Sequence, residues 1–287
     1  MAVGEDPLDV LIIPTGTIAE ERDLVAPGDV IIGGQSNISF GVRSQNILVG
    51  ERVRFEGDIE VERECRVDIW CEIEGNVIVG EDAYLGERVS ISGRLAVGGD
   101  LDIGDDVQIE EGFEANGWIN IRNPLPTIIF LFMYLTQLLR LGEEEAAEEL
   151  LSEILEGEKG KGNDEDPLVI PRGSYISDEM WRVSTPVIVK NECRLHGNFR
   201  AVDISIGENV NLFGSIRARE GVVIGNGTRI HGDVTTREGD IILREGSHIL
   251  GDISCNKLEL YEGARVEGTI RAKDGMQIRS KGRKPQE

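Results

Sequence analysis

The feature that most restricts the fold of this chain is a glycine that returns at intervals of roughly 18 residues, within the range of repeat lengths found in solenoids. Gly57, Gly75 and Gly93 are evenly spaced. A second series is spaced almost as evenly and consists of Gly197, Gly214, Gly232, Gly251 and Gly268. Phe40 and Glu111 occupy the equivalent places before and after the first series. A repeat of this kind indicates stacked units, each of which buries its apolar face against its neighbours.

Apolar and polar residues alternate between these glycines. Val53 and Phe55 precede Gly57, and Ile59 and Val61 follow it, each pair separated by one polar residue. Alternation with period two is typical of a strand that has one buried face. Three short strands in each repeat predict a triangular parallel β-helix. A helical solenoid would need units of about 33 to 47 residues and a period of 3.6.

The repeats occur in two copies that are offset by 157 or 158 positions. Ile13-Pro14-Thr15-Gly16 matches Ile170-Pro171-Arg172-Gly173. We therefore expect an all-β fold of two tandem triangular parallel β-helices (β-solenoids) of about five 18-residue coils each, joined by a helical insert. The predicted boundaries are 1–122 for the first β-helix, 123–166 for the insert and its flexible linker, 167–280 for the second β-helix and 281–287 for a basic tail.

The insert departs from the repeat. It opens with the most apolar run of the chain, which includes Ile128, Ile129, Phe130, Leu131, Phe132 and Tyr134. This run falls short of the roughly 20 apolar residues that span a bilayer, and residues 143–156 have the spacing of an amphipathic helix with an acidic face. Three roles stay open for the insert: covering the end or flank of a β-helix, mediating self-association, or dipping into a membrane interface.

The charge of the chain argues against nucleic-acid partners. Asp and Glu number 53 against 30 Lys and Arg, which gives a net charge of −23. Nucleic-acid binding depends on a cationic surface that neutralises phosphates. We see no secretory leader and expect a cytoplasmic location, with peripheral membrane contact as an open alternative.

The residue types that usually carry chemistry fit the repeat instead. The four cysteines take inward positions on separate strands, so we interpret them as core residues: Cys65, Cys71, Cys193 and Cys255. His196, His231 and His248 fall on outward positions of different coils, too far apart to share a metal ion. The glycine corners lack the Gly-Lys-Ser or Gly-Lys-Thr of a phosphate-binding loop. We expect no cofactor, no metal, no small-molecule substrate and no enzymatic activity.

The glycine repeat resembles that of the bactofilin family. The resemblance is carried by Gly57-Asp58-Ile59, Gly214-Ser215-Ile216, Gly232-Asp233-Val234, Gly251-Asp252-Ile253 and Gly268-Thr269-Ile270. It implies a right-handed β-helix that associates end to end, without nucleotide, into non-polar filaments that scaffold envelope or shape machinery, often at the membrane. A capped, non-polymerising membrane-associated scaffold is one alternative.

An enzyme is the other alternative. Runs such as Val79-Gly80-Glu81-Asp82-Ala83-Tyr84 are similar to the hexapeptide repeats of left-handed β-helix acyltransferases, which generally employ a histidine as general base. The scaffold interpretation is preferred because all three histidines fall in the second copy.

Self-association, as a dimer or a filament, predicts contacts at the ends of the β-helices. A terminal coil presents unpaired N–H and C=O groups that another molecule can continue. The candidate end contacts are Phe40, Phe113, Met276 and Ile278, and the apolar run of the insert is the second candidate surface.

Overall fold

The computed structural model describes residues 9–20, 22–121 and 166–279. These residues form 38 short β-strands and no α-helix. We call residues 9–121 the first half and residues 166–279 the second half. The strands of the first half are β1 (Leu11–Ile13), β2 (Ile18–Glu20), β3 (Asp23–Val25), β4 (Val30–Ile32), β5 (Asn37–Ile38), β6 (Gly41–Ser44), β7 (Ile47–Val49), β8 (Arg54–Phe55), β9 (Ile59–Val61), β10 (Cys65–Val67), β11 (Glu72–Ile73), β12 (Val77–Val79), β13 (Ala83–Leu85), β14 (Ser90–Ile91), β15 (Leu95–Val97), β16 (Leu101–Ile103), β17 (Gln108–Ile109), β18 (Phe113–Ala115) and β19 (Ile119–Ile121). Those of the second half are β20 (Leu168–Ile170), β21 (Tyr175–Ile176), β22 (Met180–Arg182), β23 (Val187–Val189), β24 (Arg194–His196), β25 (Asn198–Ala201), β26 (Ile204–Ile206), β27 (Asn211–Phe213), β28 (Ile216–Ala218), β29 (Val222–Ile224), β30 (Arg229–Ile230), β31 (Val234–Thr236), β32 (Ile241–Leu243), β33 (His248–Ile249), β34 (Ile253–Cys255), β35 (Leu258–Tyr261), β36 (Arg265–Val266), β37 (Ile270–Ala272) and β38 (Met276–Arg279).

The strands stack into three sheets that form the faces of one solenoid. Sheet A has 14 strands in the order β19-β16-β13-β10-β7-β4-β20-β1-β23-β26-β29-β32-β35-β38. Sheet B has 12, in the order β18-β15-β12-β9-β6-β3-β2-β24-β27-β30-β33-β36, and sheet C has 12, in the order β17-β14-β11-β8-β5-β21-β22-β25-β28-β31-β34-β37. Within each half, coils stack in parallel and in register. The prediction of an all-β parallel solenoid with three strands per coil is confirmed.

The core consists of apolar side chains stacked in columns. In sheet B, Ile59, Val77 and Leu95 lie in register on successive coils, and all three are fully buried. Burying one such side chain stabilises the fold by about 1.5–3 kcal/mol. The buried cluster includes residues of both halves, so the described chain has one continuous core.

The repeating glycine is explained by how closely the coils approach at one corner. A Cβ atom on Gly75 would lie 2.6 Å from the carbonyl oxygen of Gly57, and one on Gly251 would lie 2.6 Å from that of Gly232. Only glycine leaves room for the neighbouring backbone at this distance.

The polar residue after the glycine joins one coil to the next. Asp58 Oδ1 accepts the N–H of Asn76 at 2.7 Å, and Asn76 Oδ1 accepts the N–H of Arg94 at 3.0 Å. In the second half, Asp233 Oδ1 accepts the N–H of Asp252 at 2.8 Å. Short polar side chains therefore satisfy backbone donors that a corner leaves outside the strand ladders.

The two halves meet by exchanging strands. In sheet A, β1 of the first half is parallel to β23 of the second half, whereas β20 of the second half is parallel to β4 of the first. β1 and β20 are antiparallel to each other and pair at Ile12 and Val169. The sequence separation of these two residues equals the offset of the sequence repeat. A pseudo-two-fold axis therefore passes through sheet A at this pair and exchanges sheets B and C.

Two hairpins complete this junction. β2 is parallel to β24 of the second half and then turns back into β3, which is parallel to β6. β21 is parallel to β5 of the first half and turns back into β22, which is parallel to β25. Each face of the solenoid thus contains one antiparallel pair, and each half completes a coil of the other.

The structure does not support two separate β-helices linked by an insert. A separate β-helix would leave the edges of its first coil unpaired, and the strand exchange pairs these edges within the chain. β19 and β20, which flank the insert, lie six strands apart in sheet A, a span of roughly 29 Å at about 4.8 Å per strand. The two strands that flank the insert therefore lie at the far end of the first half and at the junction. Its predicted helix falls in 122–165, outside the described residues.

Candidate functional site at the two ends of the solenoid

The first end is the last coil of the first half, formed by β17, β18 and β19. By strand register, Phe113 continues the buried column of Leu95, and Ile119 continues that of Leu101. Phe113 is 47% exposed because no described coil covers it. Trp118 lies at the corner of the same coil, and its side chain is 83% exposed. Its backbone N–H donates to Asp100 Oδ1 at 2.7 Å.

The second end is the last coil of the second half, formed by β36, β37 and β38. Met276 continues the column of Leu258, and Ile278 continues that of Leu260. Met276 is 49% exposed and Ile278 is 72% exposed. Ile270, which continues the column of Ile253, is also exposed. Both ends therefore combine core-type apolar side chains with a sheet edge.

The strand edges at the two ends carry free donors within the described chain. Leu101 donates its N–H to the carbonyl of Trp118 at 2.9 Å, and Leu258 donates to Gly275 at 3.2 Å. Ile119 and Met276 occupy the same register positions one coil further on. Their N–H groups point to the place of a further coil, which is the arrangement that accepts an added strand.

The two ends differ in charge although their coils are equivalent in the repeat. Residues 104–121 contain five carboxylates and no Lys or Arg; the carboxylates are Asp105, Asp106, Glu110, Glu111 and Glu114. Residues 262–279 contain four basic and three acidic residues; these are Arg265, Arg271, Lys273, Arg279, Glu262, Glu267 and Asp274. We call them the acidic end and the basic end.

The four predicted end contacts lie in different places. Phe113, Met276 and Ile278 are on the end coils, whereas Phe40 is fully buried at the junction, 5.9 Å from the ring of Trp181 in the other half. Phe40 is thus enclosed by the strand exchange and is not open to another molecule. Trp118 is not among the residues predicted from sequence, although its place in the last coil before the repeat ends is a signal for an exposed aromatic.

The three histidines line the outer surface of sheet B. The ring of Phe213 lies between those of His196 and His231, at centroid distances of 4.6 and 4.2 Å. His231 Nε2 is 2.9 Å from Asn211 Oδ1, and burial together with nearby Arg229 lowers the pKa of His231. Two shallow surface depressions, one beside Tyr261 and one beside Val107, are not lined by histidine. The rings of His196, Phe213 and His231 form a stacked column on the outer surface of sheet B.

The four cysteines are free and buried, as the sequence predicts. Cys193 of the second half donates its S–H to the carbonyl of Pro14 in the first half at 3.0 Å. Burial raises the pKa of Cys65 and Cys71 to about 12, and that of Cys193 and Cys255 to about 11. The described residues contain no cluster of three or more His, Cys, Asp or Glu side chains placed to hold a metal ion.

We predict that these thiols are unreactive in the folded protein. The thiolate is the reactive form, and at pH 8 a thiol with a pKa of about 11 or 12 is almost fully protonated. Ellman's reagent should therefore titrate the thiols only slowly at pH 8 and rapidly in guanidinium chloride. Rapid modification of the native protein would contradict the placement of the cysteines in the core.

The apolar run of the insert lies outside the described residues. Its members Ile128, Ile129, Phe130, Leu131, Phe132 and Tyr134 remain predictions as self-association or membrane contacts. Within the described ranges, no helix is long and apolar enough to cross a membrane.

One part of the chain matches a known protein family. Residues 181–271 match the family model of bactofilin, described as polymer-forming cytoskeletal. This match lies within the second half and reaches from β22 at the junction to β37 in the basic end. No curated protein and no solved structure matches the chain. Extension of the family to the first half remains a prediction.

Proposed function

We propose that this chain, whose residues 181–271 match the bactofilin family, is a non-enzymatic cytoskeletal scaffold that polymerises end to end through the acidic end and the basic end, without nucleotide. The observation that carries the proposal is the pair of end coils. Each end coil presents core-type apolar side chains together with backbone N–H groups that have no strand beside them. Within the described chain, these are the only coil edges that no other coil covers.

The junction supports this mode of assembly. It joins two half-solenoids end to end on all three faces. The halves pair through β1 and β20 in sheet A, β2 and β24 in sheet B, and β21 and β5 in sheet C, and each face contains one antiparallel pair at the junction. Since these edges are paired within the chain, a further molecule finds free edges at β17–β19 and β36–β38. A row of such molecules would form a continuous three-faced rod whose core passes from one molecule to the next.

We expect the double substitution Ile119→Asp with Met276→Asp to abolish polymerisation. Both side chains continue core columns, so each new carboxylate is solvated in the free molecule and buried in the contact. Burying an unpaired carboxylate costs several kcal/mol, which corresponds to at least a hundredfold weaker association. Negative-stain electron microscopy and sedimentation of the purified full chain, without added nucleotide, measure the effect.

Matched controls use the same type of substitution away from the ends. Ile78 and Ile188 are exposed on the outside of sheets B and A, and Ile78→Asp with Ile188→Asp should leave filaments intact. Filaments from the end variant, or a wild-type protein that never exceeds one chain in size, would contradict the proposed function.

A further inference from the structure

The contact between molecules can join like ends or unlike ends. The chain is internally pseudo-two-fold symmetric, so both of its ends are last coils of the same type. If the two ends were identical, every end-to-end contact would bring the same patch of each molecule together, which is an isologous contact. The two ends are not identical in charge, and this difference selects between the two arrangements.

The charge difference arises at equivalent positions of the repeat. Gln108 corresponds to Arg265, Glu114 to Arg271, and Asn116 to Lys273, each pair separated by the same repeat offset. The three basic residues are exposed and form no ion pair with other described residues.

Part of the acidic charge is already neutralised within its own half. Glu114 pairs with Arg94 at 2.6 Å, and Asp106 pairs with Arg88 at 3.6 Å. The exposed carboxylates Asp105, Glu110 and Glu111 have no such partner in the described chain. Each end thus keeps uncompensated charge, negative at one and positive at the other.

The arrangement of the sheets decides which side chains meet. If a contact between unlike ends continues each of the three faces, β18 lies beside β36 in sheet B and β17 lies beside β37 in sheet C. Glu114 lies on the outer side of β18, where it also pairs with Arg94 of its own half, and Arg265 lies on the outer side of β36. The unpaired Arg265 therefore faces the carboxylate of Glu114. Neutral Gln108 then faces Arg271 across sheet C.

A contact between like ends gives the opposite result. A two-fold axis like that of the junction exchanges sheets B and C, so β36 of one molecule would lie beside β37 of the other. Arg265 would face Arg271 at the contact between basic ends. At the contact between acidic ends Gln108 would face Glu114, and each molecule would contribute a coil with five carboxylates and no Lys or Arg. Like charges directly opposite on neighbouring strands are destabilising.

Resting on the proposed function, we propose that the acidic end of one molecule binds the basic end of a second copy. The contact is heterologous, and a heterologous contact that does not close into a ring generates an open polymer. The halves then alternate in direction along the filament, as in the non-polar filaments that the resemblance implies, while the charge difference between the ends orients every molecule the same way. Charge complementarity selects the partner end, and the shared apolar columns and strand edges hold it.

Variants with one blocked end test this proposal. Ile119→Asp leaves only the basic end open, and Met276→Asp leaves only the acidic end open. We expect each full-length variant alone to stay monomeric in sedimentation velocity. An equimolar mixture should form a one-to-one dimer and nothing larger, at concentrations about a hundredfold below those at which either variant self-associates.

The other outcomes separate the two proposals. Dimers of either variant alone would overturn the heterologous contact while keeping end-to-end assembly. Filaments from either variant alone would place the contact elsewhere and overturn both proposals. A mixture that stays monomeric while the wild type forms filaments also overturns the heterologous contact.

Charge reversal provides a second test that keeps the apolar contacts. Arg265→Glu with Arg271→Glu should prevent polymerisation because carboxylates then face each other across sheet B. Adding Gln108→Arg and Glu114→Arg to the same chain should restore filaments that exclude wild-type subunits, since the charges at the facing positions of the end strands are then exchanged. Filaments of the four-substitution variant that freely incorporate labelled wild-type protein would contradict the role of charge.

Discussion

Replacement of Trp181 by alanine is expected to lower the free energy of unfolding by about 4 kcal/mol. Trp181 is fully buried at the junction, stacks on Phe199 at 5.1 Å with the rings 13° apart, and lies 5.9 Å from Phe40 of the other half. Its indole N–H donates to the carbonyl of His196 at 3.0 Å. The substitution removes these contacts and leaves a cavity where the two halves meet. Urea unfolding followed by far-UV circular dichroism measures the change.

Trp118→Ala is the matched control for this prediction. Trp118 is at the acidic end and largely exposed, so its loss should change the free energy of unfolding by no more than about 0.5 kcal/mol. The two substitutions thus compare a tryptophan buried at the junction with an exposed tryptophan at the acidic end. A loss below about 1 kcal/mol for Trp181→Ala would show that the junction is not a tightly packed part of the core.

Substitution of Gly232 by alanine should lower the free energy of unfolding by about 3 kcal/mol. A Cβ atom there would collide with Ser215 Oγ and lie 2.6 Å from the carbonyl oxygen of Gly214 on the preceding coil. The coils would have to separate at this corner, which would also disturb the hydrogen bond from the Asp233 N–H to Ser215 Oγ. Thermal and urea unfolding of the variant test this effect.

Gly221→Ala is the control, because it tests glycine replacement without a backbone clash. The nearest atom to a Cβ on Gly221 is the side-chain Asp203 Oδ1 at 2.9 Å, and the nearest backbone atom is the Asp240 carbonyl oxygen at 3.7 Å. The Asp203 side chain can move at the cost of the hydrogen bond that its Oδ1 accepts from the Gly221 N–H at 2.9 Å, so we expect a change of about 1 kcal/mol, well below that of Gly232→Ala. Equal effects of the two substitutions would rule out coil spacing as the reason for the glycine repeat.

Some of the candidate end residues could be located from sequence. Phe113, Met276 and Ile278 belong to the last repeats before the alternation stops, so their place on end coils follows from the pattern itself. Phe40 belongs to the first repeat, which looks like an end in sequence. It is internal because β20 and β21 of the other half stack directly on its coil. Neither the exchange of coils nor the neighbour of Phe40 is encoded in a local pattern.

The inward-facing residues and the corners of each coil can both be predicted from the sequence alone. Alternation with period two assigned Ile59, Val77 and Cys65 to the core, and the glycine repeat marked corners where a Cβ atom meets the next backbone. These are local properties, set by strand geometry and by contacts between successive coils. The exchange of β1 and β20 between the halves is visible only in the folded molecule, because a strand edge can pair with any free edge that has the same register. That pairing joins Ile12 to Val169, turns two expected β-helices into one solenoid, and leaves an acidic and a basic end uncovered within the described chain.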